Sequence, residues 1–362
     1  MNKLNIYLKN LDYNLKVIRN QLRSNTMIFA VVKAWAYGSD MIRIAKYLEK
    51  LDVDYLAVAY AEEGRILRQE GINLPILVFY PQIDGLETII DSNLEPSLYS
   101  ASLLRKFHQL LKQKNKKSYP VHIKYNTGLN RVGFNPNEVT WILEQFKNKQ
   151  FDLKSVYSHL ANSESIEKDI NNKKQIDAFL KLKKKHEDNT YTNPKFHILN
   201  SSGVFKNNEY QFDAVRCGIA LHGFSNHPDL DRKLKPLVSL NSSISQIHKV
   251  KKGEYVGYDL GWKASKDSMI ATLPIGHADG IGRHFGHEMA KVLVNGKKAF
   301  IVGNVCMDMI MIDVTDIPCK EEDTVIIFGS QHSASEFAAS GGTISYEILS
   351  GVGPRVKRIF HS

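Results

Sequence analysis

The sequence predicts an α/β fold: a (β/α)8 TIM barrel followed by a mostly β C-terminal domain. Three observations carry this. Over the first two-thirds of the 362 residues, short β-rich runs alternate with longer helical patterns. Eight such runs fall within about 200 residues, the arithmetic of a barrel. From Lys235–Pro236 onward the helical patterns all but stop and strand-like runs dominate.

Taken in order, the run Leu4–Leu8 is not needed by the barrel and is expected to join the β domain. The domains therefore read as 8–235 for the barrel and 236–362, with the N-terminal strand 1–7, for the β domain. A helix over Leu11–Arg23 precedes the first barrel strand, Met27–Val32. The remaining strands are expected at Asp54–Val58, Pro75–Phe79, Glu95–Leu98, Val121–Tyr125, Ser155–Ser158, Lys195–Leu199 and Asp213–Arg216. Several are apolar throughout, as parallel strands covered on both faces are. Ser39 is placed to cap a helix whose Ile42, Ala45 and Leu48 face inward. The segments "ASLLRKFHQLLKQK" and "EVTWILEQFK" repeat the amphipathic pattern. A doubly wound sheet is the structural alternative, but "KAWAYGSD" after the first strand has no GxGxxG fingerprint. In the second domain "VNGKK" reads as a hairpin turn between apolar runs, and only 341–350 looks helical near the end.

Composition excludes several classes. No stretch reaches the ~20 apolar residues of a membrane span, and the polar N-terminus is no signal or transit peptide. Three widely spaced cysteines without a CxxC pair fit a reducing, cytoplasmic setting. The net charge is +10, but the lysines of 112–117 and 181–186 close helical patterns without interleaved aromatics. They read as solvated helix ends, so no nucleic-acid partner is expected. His277, Asp279, His284 and His287 could ligate a metal. They sit on a glycine-rich, loop-like segment, so no metal site is expected. Cys306 reads as a small residue at a strand end.

The ends of barrel strands are where chemistry resides in this fold. The first strand delivers Lys33 after a buried run. The fifth carries Lys124 and leads to Arg131. His159 follows the sixth, Asn200 and Ser201 the seventh, Arg216 and Gly218 the eighth. Loops after strands seven and eight commonly bind phosphate; Ser201 offers a hydroxyl, and Gly218 and Ile219 offer amides. A lysine in a partly apolar site has a lowered pKa, as a Schiff-base lysine needs. Lysine and phosphate site together suggest pyridoxal phosphate. The competing reading makes Lys33 a structural ion-pair partner.

The motifs "VVKAWAYG", "KYNTGLNRVGF", "SHLANSE", "HILNSSG", "VRCGIALHG", "VGYDLG", "LPIGHADG", "VGNVCMDMIMIDVT" and "GTISYEIL", in this order, resemble those of the alanine racemase family. The resemblance covers essentially the whole chain and implies a pyridoxal 5'-phosphate enzyme of barrel plus β domain. It implies that Lys33 binds the cofactor and is one catalytic base. Tyr258 would be the second base, contributed across a head-to-tail homodimer with shared active sites. Tyr37, Ser201, Gly218, Ile219 and Tyr346 would hold the phosphate. Arg216 would face the pyridine nitrogen, with His159 close to the ring. Arg131 and the Met307 amide would contact the substrate carboxylate. Lys124 matches a lysine often carbamylated in the family, which positions the arginine, and Asp308 shares the Met307 loop.

The chemistry suits these types, because racemisation needs bases on opposite faces of Cα. Four positions depart from the family pattern: Trp35 for asparagine, His277 and His222 for tyrosine, and Asn304 for arginine. His277 would stand near the active-site entrance, where imidazole is shorter and titrates near neutrality. The implied activity is interconversion of L- and D-alanine. Serine or broad-range racemisation is the alternative, as is a pyridoxal-phosphate-binding homeostasis protein without turnover; the latter resembles the barrel alone.

Overall fold

The computed structural model describes residues 2–147, 149–164, 170–225 and 227–361. Packing divides the chain into two compact units. One comprises Leu15–Ala36 and Met41–Leu221; the other comprises Met1–Asn14, Tyr37–Asp40 and His222–Ser362. No helix among the described residues is long and apolar enough to cross a membrane.

The chain opens with β1 (Lys3–Tyr7), which belongs to the second unit. The first unit is built on eight parallel strands: β2 (Met27–Val31), β3 (Tyr55–Val58), β4 (Ile76–Val78), β5 (Glu95–Leu98), β6 (Tyr119–Lys124), β7 (Phe151–Tyr157), β8 (Lys195–His197) and β9 (Ala214–Cys217). They run in sequence order from β2 to β8, and β9 pairs with β2. Asp213 N–H to Phe196 O and Arg216 N–H to Leu199 O, both 3.0 Å, join β9 to β8 and close the barrel.

The expected strands are all present. The largest offset is in β7, which starts at Phe151 rather than Ser155. There Asp152 and Lys154 alternate with buried neighbours and pair with each other at 2.7 Å, so two charges disguise half a strand. The first helix spans Leu8–Arg19, a turn earlier than expected, with Leu11, Leu15 and Ile18 buried. The next amphipathic helix begins at Met41, so Ser39 lies one residue too far out to cap it. Its buried stripe is Met41, Ile44, Ala45 and Leu48; Ile42 falls off that face by the 3.6-residue period.

The second unit carries β10 (Val238–Ser243), β11 (Gln246–Val250), β12 (Tyr255–Val256), β13 (Trp262–Lys263), β14 (Ser268–Leu273), β15 (Lys291–Val294), β16 (Lys297–Val302), β17 (Ile310–Asp313), β18 (Thr324–Phe328) and β19 (Lys357–His361). Nine strands form one sheet in the order β11-β14-β17-β16-β15-β18-β10-β1-β19. The N-terminal strand thus lies inside it, antiparallel to β10 and parallel to β19. Asn295 (φ 48°) and Gly296 (φ 77°) make the β15–β16 turn, the two left-handed residues a tight hairpin demands. Near the end, Ala334–Ser340 forms an unexpected helix, and the stretch expected to be helical, 341–350, is helical only over Ser345–Ser350, after Gly341 and Gly342. Ser333 caps the first, accepting the Glu336 amide at 3.0 Å. Cys306 lies in the loop between β16 and β17 rather than at a strand end.

One arginine organises this unit. Arg358 on β19 directs all five of its N–H donors to backbone carbonyls: Gly38, Ser39, Val352, Gly353 and Val356, at 2.5–3.3 Å. Gly38 itself is left-handed (φ 76°), and a Cβ there would meet Leu349 O at 2.1 Å. Lysine cannot present this planar fork. Arg358→Lys is therefore expected to lower stability by about 2 kcal/mol, through carbonyls left without donors. Urea denaturation checks this, and an unchanged midpoint rejects it.

Candidate active site

Lys33 follows β2 after the single residue Val32, and the backbone then turns the unusual way. Ala34, Trp35, Ala36 and Tyr37 all have φ between 50° and 54°, and the Ala36 amide donates back to Val32 O at 2.9 Å. This is one turn of left-handed helix. L-residues enter it at a cost of about 1–2 kcal/mol each, and asparagine enters it more readily than a bulky residue. Trp35, 56% exposed, is therefore conformationally expensive where it stands; nothing in the structure explains what it contributes in return. Glu63 braces the turn: one carboxylate oxygen accepts the Ala34 amide at 2.6 Å, the other that of Ala59 at 2.7 Å.

The barrel unit gathers cations around this point. Burial holds the Lys33 amine below the ordinary lysine range; Arg131 adds to the effect and Glu63 opposes it. Lys33 makes no ion pair among the described residues. Lys124 is pulled down to about 7, first by burial, then by Arg131, Arg216 and Lys33. Near neutral pH much of it is therefore a free amine, the form that reacts with carbon dioxide. Lys124 and Arg131 both lie against the Tyr80 ring, at 5.2 and 5.7 Å from its centroid. His159 is pushed well below its usual range, by burial and then by Arg216, Lys124, Arg131 and Lys33. It is neutral, and its Nδ1 faces Arg216 Nη2 at 3.3 Å.

Arg216 is buried, which draws it down to about 10 and leaves it protonated at neutral pH. Nη1 and Nη2 make all of its hydrogen bonds, to Ser158 O (2.7 Å), Ile198 O (3.0 Å), His197 Nδ1 (2.5 Å), His197 O and His159. Its Nε–H has no partner among the described residues. Nearby, Ser201 Oγ accepts the Gly218 amide (3.0 Å) and the Ala220 amide (3.3 Å). The Gly218 amide is thus engaged by Ser201, whereas the Ile219 amide has no partner among the described residues. The Ser202 hydroxyl is buried and likewise unbonded.

The second unit presents its own set. Tyr37 packs against His222 (4.7 Å between ring centroids) and near Tyr346 (6.0 Å). His222 is buried and driven down to about 3, so it acts as a neutral packing ring. Tyr258 is 71% exposed, on a turn where Asp259 and Leu260 are left-handed. Asn304 holds that turn: Nδ2 donates to Tyr258 O at 2.9 Å, while Oδ1 faces Arg283 Nη2 and His287 Nε2, both 3.1 Å. The divergent asparagine thereby gains a definite task.

Met307 is exposed, and its amide has no partner among the described residues. Its carbonyl accepts the Ala278 amide at 3.0 Å. That approach requires Gly276, where a Cβ would meet Met307 O at 2.4 Å. Arg355 ties Asp308 (2.7 Å) to the buried Asp279 (2.7 Å). His277 is exposed at the start of this segment. Among the described residues no three His, Cys, Asp or Glu side chains converge as a metal site.

These groups suit an aldehyde cofactor with a phosphate. The barrel unit offers a deprotonation-prone lysine, an unpartnered guanidinium N–H, and an unpartnered amide beside two serine hydroxyls. Sequence reasoning missed Glu63, Tyr80, Arg355 and Arg358. It also missed polar residues inside apolar strands, chiefly Glu95, His122 and His197, although "PVHIKY" and "KFHIL" carry that signal in plain view.

Comparison with known proteins gives a consistent result. Residues 6–226 match the family profile "Alanine racemase, N-terminal domain", and 237–360 match "Alanine racemase, C-terminal domain". An alanine racemase of Treponema denticola is 36% identical over 370 residues, covering 98% of this chain and 97% of that protein. The solved alanine racemase of Clostridium difficile superposes with a TM-score of 0.91 at 35% identity, covering 99% of this chain and 95% of that one. The Bartonella henselae alanine racemase, solved with covalently bound pyridoxal phosphate, gives 0.91 at 30% identity, covering 99% of each chain.

Proposed function

This chain belongs to the alanine racemase family, and on that premise we propose which of its residues perform the reaction. The activity is pyridoxal-phosphate-dependent interconversion of L- and D-alanine. The observation that carries the site reading is the lysine at the end of β2, held below its normal pKa among cations. A homeostasis protein without turnover is not favoured, because the match continues through 237–360.

Lys33 is the attachment point for the cofactor aldehyde and one of two bases. Its burial keeps a share of the amine unprotonated, which both tasks require. When bound, pyridoxal phosphate withdraws electrons from the substrate Cα and so acidifies its proton. Tyr37, Ser201, Gly218, Ile219 and Tyr346 hold the phosphate. The Gly218 amide, which donates to Ser201 Oγ at 3.0 Å, would contribute to that hold through the serine. Arg216, whose Nε–H has no partner among the described residues, would hold the pyridine nitrogen. A protonated guanidinium can only donate, so that nitrogen stays an acceptor. His159, neutral, lies against the ring.

Arg131, backed by Lys124, binds the substrate carboxylate together with the Met307 amide, and Asp308 steadies that loop through Arg355. Tyr258 removes or returns the Cα proton on the face opposite Lys33. Racemisation of a panel of L- and D-amino acids by the cofactor-loaded protein tests the reading. Alanine is expected to turn over fastest. Faster serine turnover reassigns the substrate, and no turnover of any amino acid rejects the activity.

The active unit is a head-to-tail homodimer in which Tyr258, Met307 and Asp308 serve the Lys33 of the partner subunit. The high exposure of Tyr258 and Met307 on one chain supports this. Mixing inactive Lys33→Ala and Tyr258→Ala proteins is expected to restore up to about a quarter of wild-type activity, from one intact site in each mixed dimer. No recovery, once subunit exchange is demonstrated, counts against sharing.

A further inference from the structure

The barrel interior holds a file of five polar side chains, of which the assigned reaction uses only the last. It begins at Glu95, the first residue of β5, and ends at Arg216 on β9. Glu95 Oε2 lies 2.8 Å from His122 Nε2, and His122 Nδ1 lies 2.6 Å from Ser155 Oγ. Ser155 Oγ lies 2.8 Å from His197 Nε2, and His197 Nδ1 lies 2.5 Å from Arg216 Nη1. All five residues are at most 8% exposed.

One end fixes the direction of the His197 bonds, and a single proton on His122 fixes the rest. A guanidinium has donors only, so His197 Nδ1 must accept. Burial and the positive Arg216 keep His197 neutral, so its single proton sits on Nε2 and is donated to Ser155. The serine has one proton of its own, which goes to His122 Nδ1. The His122 proton then sits on Nε2 and is donated to Glu95. Each donor faces an acceptor, and the file runs from a buried cation to a carboxylate without a mismatch. Reversing the Ser155–His122 link with a single proton on His122 would set its bare Nε2 against the Glu95 carboxylate in a dry interior, at a cost of about 1–3 kcal/mol.

We propose that Glu95, His122, Ser155 and His197 are positioning residues: a one-way hydrogen-bond chain that orients Arg216 and supplies its counter-charge from the far end of the barrel. The effect on the cofactor rests on the reading that Arg216 faces the pyridine nitrogen; the chain itself does not. Without it, the guanidinium would stand among Lys33, Lys124 and Arg131 with no anion connected to it. Its plane would be free to turn Nε away from the ring.

Nitrogen-15 NMR of the histidines in the cofactor-loaded protein tests the chain directly. His122 and His197 are expected as neutral rings protonated at Nε2. A proton on Nδ1 of either overturns the proposal. Two variants then read the consequence: Ser155→Ala cuts the chain, and Tyr125→Phe removes a comparably buried hydrogen bond, to His186 at 2.9 Å, elsewhere in the same unit. Ser155→Ala is expected to shift the His197 signal and the cofactor absorption, and to weaken pyridoxal-phosphate binding roughly tenfold. Tyr125→Phe is expected to lower stability only. Identical behaviour of the two variants overturns the positioning role. If Ser155→Ala leaves the cofactor absorption unmoved, Arg216→Lys separates the cases. A shift in Arg216→Lys alone indicts the chain; none in either variant indicts the placement of Arg216 at the ring, and the consequence drawn from it falls too.

Discussion

Lys33→Ala is expected to abolish the visible absorption of the lysine-bound cofactor and to slow alanine racemisation by at least about a thousandfold. Two losses combine in this one change. The cofactor loses its covalent anchor, and one face of Cα loses its base. Added methylamine can replace the missing amine in part, because the site keeps the space the side chain vacates. The control is Arg358→Lys, which loosens the fold of the other unit without touching the amine. Absorption near wild-type strength in Lys33→Ala, measured after dialysis against excess pyridoxal phosphate, would falsify the assignment. The pH dependence has a definite sign. Burial and Arg131 lower the Lys33 pKa, so its base form persists to lower pH than an exposed lysine's would. It is lost as pH falls through that lowered value.

Tyr258→Phe should slow proton removal from L-alanine by about a hundredfold while sparing removal from D-alanine. Overall racemisation cannot reveal this. The enantiomers have equal free energy, so kcat/KM must fall equally in both directions whichever base is lost. The asymmetry appears only in the half-reaction, as uptake of solvent deuterium at Cα by the isomer that has not yet converted. D-Alanine recovered from heavy water should be labelled readily, and recovered L-alanine scarcely at all. Equal labelling of both isomers rejects the two-base assignment. The turn that carries Tyr258 is held by Asn304 at 2.9 Å, so Asn304→Ala offers a milder companion. It should slow the same half-reaction as Tyr258→Phe, and by less.

Much of the barrel was legible along the chain because each strand announces itself locally. Runs such as Met27–Val32 are apolar, short and bounded by polar residues, and no distant contact is needed to recognise them. Where that signature was diluted, boundaries slipped. Asp152 and Lys154 hid the start of β7, and the helix expected from residue 341 begins only at Ser345, past Gly341 and Gly342. Lys33 stood out for the same local reason: a charge at the tip of a buried run has to be explained. Trp35 did not reveal its oddity in sequence. Only the left-handed backbone shows why asparagine suits that position and tryptophan strains it. Asn304, a bare departure in sequence, became intelligible once its two ends were seen to join Tyr258 to Arg283 and His287.

The sequence by itself determined the order of elements, the division into a parallel and an antiparallel part, and the lysine at the mouth of the first barrel strand. These rest on period and propensity, which act between residues a few positions apart. Tertiary structure alone decided the company that lysine keeps. Lys124, Arg131 and Arg216 lower its neighbours' proton affinity only because closing the barrel brings separate strand ends together. Closure likewise threads Glu95 through His122 and Ser155 to His197 and Arg216, residues spread over five strands. Hydrogen bonds and Coulomb forces depend on distance in space, and a linear pattern carries no record of which inward-facing residues will meet across a closed sheet.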